Sequence, residues 1–289
     1  MKKIGITLLL LAIGLHSCDV EGVQRKENTG SLSTKSKTGS KPVIQSADSK
    51  NALKPSKKAV SDYEGKDGLR ISWYERGKGP LLHKDEVVEI NFEVLLENGT
   101  LVDGNQLLSR PSLPFLVGYG MQTKGWDLAF EQLRVGDFVE IFLPAPLARG
   151  EKGVKGLIPP NAANIIRVRV LGKVAPTKVI DGTKVWLLEE NKEEKTRAGA
   201  EGTVDLHYMV GTASNPKYDI SYRRNEPVTL HLSKTNTVEG LKKALINAKK
   251  SDKLWILVPA AQGYGDKGLV DIVKPGETLF YDVFVMDVR

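Results

Sequence analysis

One cysteine, Cys18, occurs in the 289 residues, so no intramolecular disulfide is possible. The four histidines, His16, His83, His207 and His231, are scattered, without the close spacing of a metal site. No serine-nucleophile elbow and no phosphate-binding Gly-Lys loop occurs, which removes two large classes of enzyme. The apolar run after Lys2 and Lys3 is too short for a membrane-spanning helix. What is present is ordinary for a globular protein: 40% hydrophobic and 27% charged residues, with a formal net charge of +7.

Much of that excess charge sits in the Ser/Lys/Thr-rich stretch Val23 to Val60, which has no apolar period. Such a composition cannot bury enough surface to offset its ordering entropy, so residues 19–65 are expected to be a disordered tether. Its lysines lack aromatic neighbours, which argues against nucleic acid as a partner. Residues 1–18 have the layout of a signal peptide, ending Leu15-His16-Ser17-Cys18. That ending resembles a bacterial lipoprotein signal, although His16 stands where a small residue is usual. The resemblance implies acylation of Cys18, a membrane partner, and a place in the bacterial cell envelope. As a flexible coil the tether would reach roughly 40 Å.

From residue 66 onward the chain repeats one plan. Gly125, Asp137, Pro144, Ala145, Gly150, Lys152, Gly153, Pro160 and Val168 recur 115 positions later, as Gly240, Asp252, Pro259, Ala260, Gly265, Lys267, Gly268, Pro275 and Val283. Asp103 recurs as Asp219. Two domains follow, 66–175 and 176–289, joined at Ala175-Pro176-Thr177-Lys178. Val88, Ile90, Phe92 and Val94 alternate with polar residues, as do Val204, Leu206, Tyr208 and Val210, and this period of two predicts half-buried strands. Trp126, Ala129, Phe130 and Leu133 follow the i, i+3, i+4, i+7 spacing of a helix, and Leu241, Ala244, Leu245 and Ala248 repeat it. The fold class is α+β, two tandem units that each curl an antiparallel sheet over one short helix.

The runs "GWDLAFEQLRVGDFVEIFLPAPLARGEKGVKGLIPPN" and "EGLKKAL…ILVPAAQGYGDKG…FYDVFVMDV" resemble the FKBP-type peptidyl-prolyl cis-trans isomerase family. The resemblance implies an apolar cleft for a proline ring in each unit, no cofactor and no metal. It implies that envelope-anchored clefts isomerise Pro-containing exported polypeptides; the alternative is a peptide-binding or chaperone module without catalysis. Carried over position by position, the first cleft takes Trp126 as floor, Asp103 as pocket carboxylate and Phe92, where the family usually has Tyr. Val102, Leu113 and Ile166 replace aromatic walls, Thr123 offers its backbone N–H, and Leu157 and Ile158 form the flap. Gln122 stands at an apolar position and Arg149 at that of a hydroxyl-bearing Tyr. The smaller walls predict a wider first cavity. The second cleft takes Tyr208, Asp219, Tyr264, Tyr281 and the floor residue Leu241, with Tyr218, Arg224, Val228, Val238 and Ile272 around them. An oligomeric state is not specified.

Overall fold

The computed structural model describes residues 53–55, 57–234 and 237–289. The leader 1–18, Cys18 and the tether as far as residue 52 lie outside the described residues. In the first unit the strands are β1 (Ser61–Glu64), β2 (Arg70–Glu75), β3 (Val87–Leu96), β4 (Leu101–Gly104), β5 (Leu113–Leu116), β6 (Phe138–Leu143) and β7 (Asn164–Lys173). Helix α1 (Lys124–Phe130) stands between β5 and β6. The second unit has β8 (Lys178–Ile180), β9 (Thr183–Glu189), β10 (Thr203–Gly211), β11 (Asp219–Ile220), β12 (Val228–His231), β13 (Lys253–Val258) and β14 (Leu279–Val288). Helix α2 (Glu239–Leu245) precedes β13.

Both sheets are antiparallel and share one order: β1-β2-β6-β7-β3-β4 with β5 also on β3, and β8-β9-β13-β14-β10-β11 with β12 also on β10. The repeat of residues is thus a repeat of topology. Ser61–Glu64, assigned above to the tether, instead form β1. They pair with β2 from Ser61↔Trp73 to Glu64↔Arg70, and Ser72 Oγ donates to Asp62 at 2.6 Å. This edge strand is held by its backbone rather than by a buried face, so no apolar alternation betrays it.

The alternating residues of β3 and β10 point into the cores, and the helix stripes close over them. Ala129, Phe130 and Leu133 are fully buried, as are Leu241, Ala244 and Leu245 to within 2%. Each large apolar side chain so buried contributes about 1.5–3 kcal/mol. The glycine before each floor residue is required by close approach. A Cβ on Gly125 would lie 2.6 Å from the Leu147 carbonyl, and one on Gly240 would lie 2.5 Å from Val258. The repeated aspartates are fasteners. Buried Asp137 accepts from Trp73 Nε1 (2.9 Å), Gly77 N (2.6 Å) and Arg134 N (2.8 Å), while Asp252 accepts from Asn191 N and Lys249 N, both at 2.9 Å.

The second sheet is apolar on both faces. Leu254, Ile256 and Val258 of β13 face α2, whereas Trp255 and Leu257 join Trp186 and Phe280 in the core of the first domain. Trp186 Nε1 donates to the Val174 carbonyl at 2.8 Å, Tyr119 and Phe280 meet at 5.8 Å, and Arg110 pairs with Glu189 at 3.0 Å. The unbroken apolar run of β13 is the sequence signature of a strand covered on both sides.

Candidate functional site: paired clefts

Trp126 enters the first cleft from the opening turn of α1 and is 4% exposed. Its indole meets Phe92 of β3 edge-on at 5.4 Å and is backed by Phe115 and Phe130, each at 5.6 Å. Val102, Leu113, Ile158 and Ile166 complete an apolar lining that is buried throughout. This lining is less exposed than that of the second cleft, where Tyr208, Tyr218, Val228 and Tyr264 are half-buried. Around it stand Asp103, Gln122, Thr123 and Arg149, all half-buried.

Arg149 Nη2 donates to Gln122 Oε1 at 2.9 Å. Asp103 accepts from the Gly104 N–H at 2.7 Å. Burial raises its pKa, against weaker opposing pulls from that N–H and from Arg149. Thr123 Oγ1 donates to the Leu147 carbonyl at 2.7 Å, which ties the start of α1 to the turn after β6.

In the second cleft Val238, Leu241 and Tyr281 are buried, and Tyr208, Tyr218, Val228 and Tyr264 pack half-buried against them. Tyr208 and Tyr281 stand at 65° with centroids 6.1 Å apart. The Tyr208 hydroxyl donates to Asp219 Oδ2, and Arg224 Nη1 donates to Oδ1 of the same carboxylate. Burial would raise the Asp219 pKa, but the bonds from Arg224 and Tyr208 outweigh it and hold it below the usual range. Burial, then Asp219, pushes Tyr208 up to about 12, and burial likewise raises Tyr264 and Tyr281. The phenols are therefore neutral at physiological pH, and that of Tyr208 donates a hydrogen bond.

In the flaps Leu157 is 49% exposed and Ile272 40% exposed. The inward positions belong to Ile158 and Val273, which close equivalent bridges, Val154↔Ile158 and Leu269↔Val273. Val273 was missed, although the 115-residue offset from Ile158 leads directly to it. Gly153 and Gly268 make this bridge possible, since a Cβ on either would come within 2.3 Å of the Ile158 or Val273 carbonyl. Among the described residues no group of His, Cys, Asp or Glu side chains stands close enough to hold a metal.

Twice, then, a curled antiparallel sheet and a short helix hold an apolar lining with a carboxylate at its rim. The family model for FKBP-type peptidyl-prolyl cis-trans isomerase matches residues 79–171 and 194–286. The chain belongs to this family. Human peptidyl-prolyl cis-trans isomerase FKBP10 is 28% identical over 194 residues, 66% of this chain and 33% of that protein. FK506-binding protein 1 of Candida glabrata is 37% identical over 107 residues, 36% of this chain and 91% of that protein. The three FKBP domains of wheat FKBP73 superpose with a TM-score of 0.39 at 21% identity, over 76% of this chain and 94% of that one. The chain spans about a third of the length of FKBP10.

Proposed function

We propose that the protein is a peptidyl-prolyl cis-trans isomerase whose second cleft carries the activity. Rotation about a prolyl peptide bond meets a barrier of ~18–20 kcal/mol, because amide resonance is lost in the twisted state. That state is less dipolar than either planar isomer, so an apolar floor that strips water from the carbonyl favours it. Leu241, Val238 and Tyr281 supply the floor and walls, and the phenol of Tyr264 donates to the peptide. The observation that carries the reading is the Tyr208–Asp219–Arg224 network, which holds a charged carboxylate and an oriented ring beside that floor.

The test is exchange NMR on a Leu-Pro peptide with the full chain. Acceleration that disappears in Asp219→Ala or Tyr264→Ala supports the reading; no acceleration by folded protein leaves a peptide-binding module. For the first cleft the binding reading is favoured by one observation. Arg149, bonded to Gln122, replaces the phenol that Tyr264 provides in the second.

The anchoring belongs to the same proposal. An acylated Cys18 and a leash from residue 19 would carry the two domains, the first beginning at β1 (Ser61–Glu64), on the outward side of a bacterial membrane, where exported polypeptides fold. Several buried methylenes per acyl chain, at about 0.8 kcal/mol each, make multiple acylation a stable anchor. Intact mass of the mature protein decides it: a diacyl or triacyl increment on a chain beginning at Cys18 is expected, and an unmodified N-terminus is incompatible.

A further inference from the structure

The connection between β10 and β11 ends in Tyr218 and Asp219 of the second cleft, yet it rests on the rim of the first. A Cβ on Gly120 would lie 2.8 Å from Pro216, and Lys217 Nζ donates to the Met121 carbonyl at 3.2 Å, next to Gln122. Arg149 approaches the same rim from the turn after β6, with Gln122 Oε1 at 2.9 Å. Both cations are half-buried, and both hydrogen-bond partners are neutral. Among the described residues neither stands in an ion pair.

Asp103 and Asp127 act on Arg149 and Lys217 through space, but neither forms a contact ion pair with them. Asp103 accepts from Gly104 N, and Asp127 from Gly118 N at 3.1 Å and Gly120 N at 2.8 Å. Taking a cation out of water without a contacting anion is unfavourable. Burial lowers the pKa of both groups against a weaker pull from Asp103 at Arg149, and at Lys217 Arg149 and Arg223 lower it further while Asp127 opposes them. A guanidinium carries five N–H donors, and the bond to Gln122 uses one. Two cations brought together by two domains and left with neutral partners make a seat for an anion.

We propose that Arg149 and Lys217 together bind a carboxylate at the mouth of the first cleft, so that this cleft selects prolyl segments with Asp or Glu beside the proline. This rests on the first cleft accepting a prolyl segment at all. The site is composite: the arginine comes from the first domain, the lysine from the second. The second cleft carries no counterpart, because Tyr264 stands at the position of Arg149.

The experiment titrates the full chain with a capped Ala-Ala-Glu-Pro-Phe-Ala peptide and its Gln twin, by calorimetry and by NMR of first-cleft resonances. The Glu peptide is expected to bind about tenfold more tightly at low salt, the range of a charge-assisted hydrogen bond, with the margin shrinking at high salt. Arg149→Gln and Lys217→Gln should each narrow the margin, and the double variant should remove it. If Arg149→Gln fails to fold, the Lys217→Gln and salt arms still decide. Equal binding of the twins, or an undiminished margin in the double variant, overturns the carboxylate site and leaves the prolyl cleft standing. Binding of neither peptide at the first cleft overturns both. Inorganic phosphate that shifts the same resonances while the twins bind alike marks a site for free anions and also overturns the proposal.

Discussion

The two domains share a topology and have divided one site between them. The first keeps the aromatic floor, Trp126, but has lost the hydroxyls: Phe92 stands where the second domain has Tyr208, and Arg149 where it has Tyr264. The second keeps the phenols and the carboxylate network and replaces the floor by Leu241. Asp103 and Asp219 show what this does. They occupy the same place on β4 and β11, yet burial raises the pKa of the first while Arg224 and Tyr208 hold the second down despite burial. A floor is kept by packing, since any large apolar side chain closes it. A rim functions only if each polar group has its partner, and losing one partner undoes the rest.

The largest expected effect tests whether the domains are separable. Residues 176–289 expressed alone would expose Trp186, Trp255, Leu257 and Phe280, all at most 3% exposed in the full chain. The fragment should self-associate, seen as a raised mass in light scattering, and a soluble monomer would refute the two-faced sheet. Next, truncating the floors should destabilise both domains: Trp126→Ala by ~3–5 kcal/mol and Leu241→Ala by ~2–5 kcal/mol, read from urea unfolding. A negligible change at either would mean that the residue does not close its cleft.

Catalysis separates the domains more finely. Asp219→Ala should lower the prolyl exchange rate roughly tenfold or more, about 1.4 kcal/mol, while Asp103→Ala leaves it within about twofold. The reverse outcome would move the activity to the first cleft. The smallest effect is in the pH dependence. Asp219, with a lowered pKa, contributes stability above the ordinary value of 3.8, and that contribution is lost as pH falls through the lowered pKa. Asp103, with a raised pKa, has its contribution in place below 3.8 and loses it as pH rises through the raised pKa. Carboxyl NMR titrations should therefore bracket 3.8 from opposite sides, and Asp103→Asn should slightly stabilise the chain at neutral pH where Asp219→Asn destabilises it.

Much of this was legible before any coordinates. The period of two in β3 and β10, the helical stripes ending at Leu133 and Ala248, and the offset of 115 specify elements, because local geometry alone decides which side chains share a face. That offset also led from Trp126 to Leu241, and one longer by a residue led from Asp103 to Asp219. Which of two adjacent apolar flap residues is buried was not legible, because only the bridges closed by Ile158 and Val273 distinguish them from Leu157 and Ile272. Strand β1 escaped notice because its pairing is a matter of backbone.

The sequence by itself determined which described segments are strands, which are α-helices and which of their faces are apolar, since each period is written in residues near one another in the chain. Tertiary structure decided the rest: Lys217 reaches the rim of the other domain, Trp255 packs outward rather than inward, and equivalent aspartates have pKa values shifted in opposite directions. These outcomes depend on charges and surfaces far apart in the chain, and no local pattern records which of them will meet.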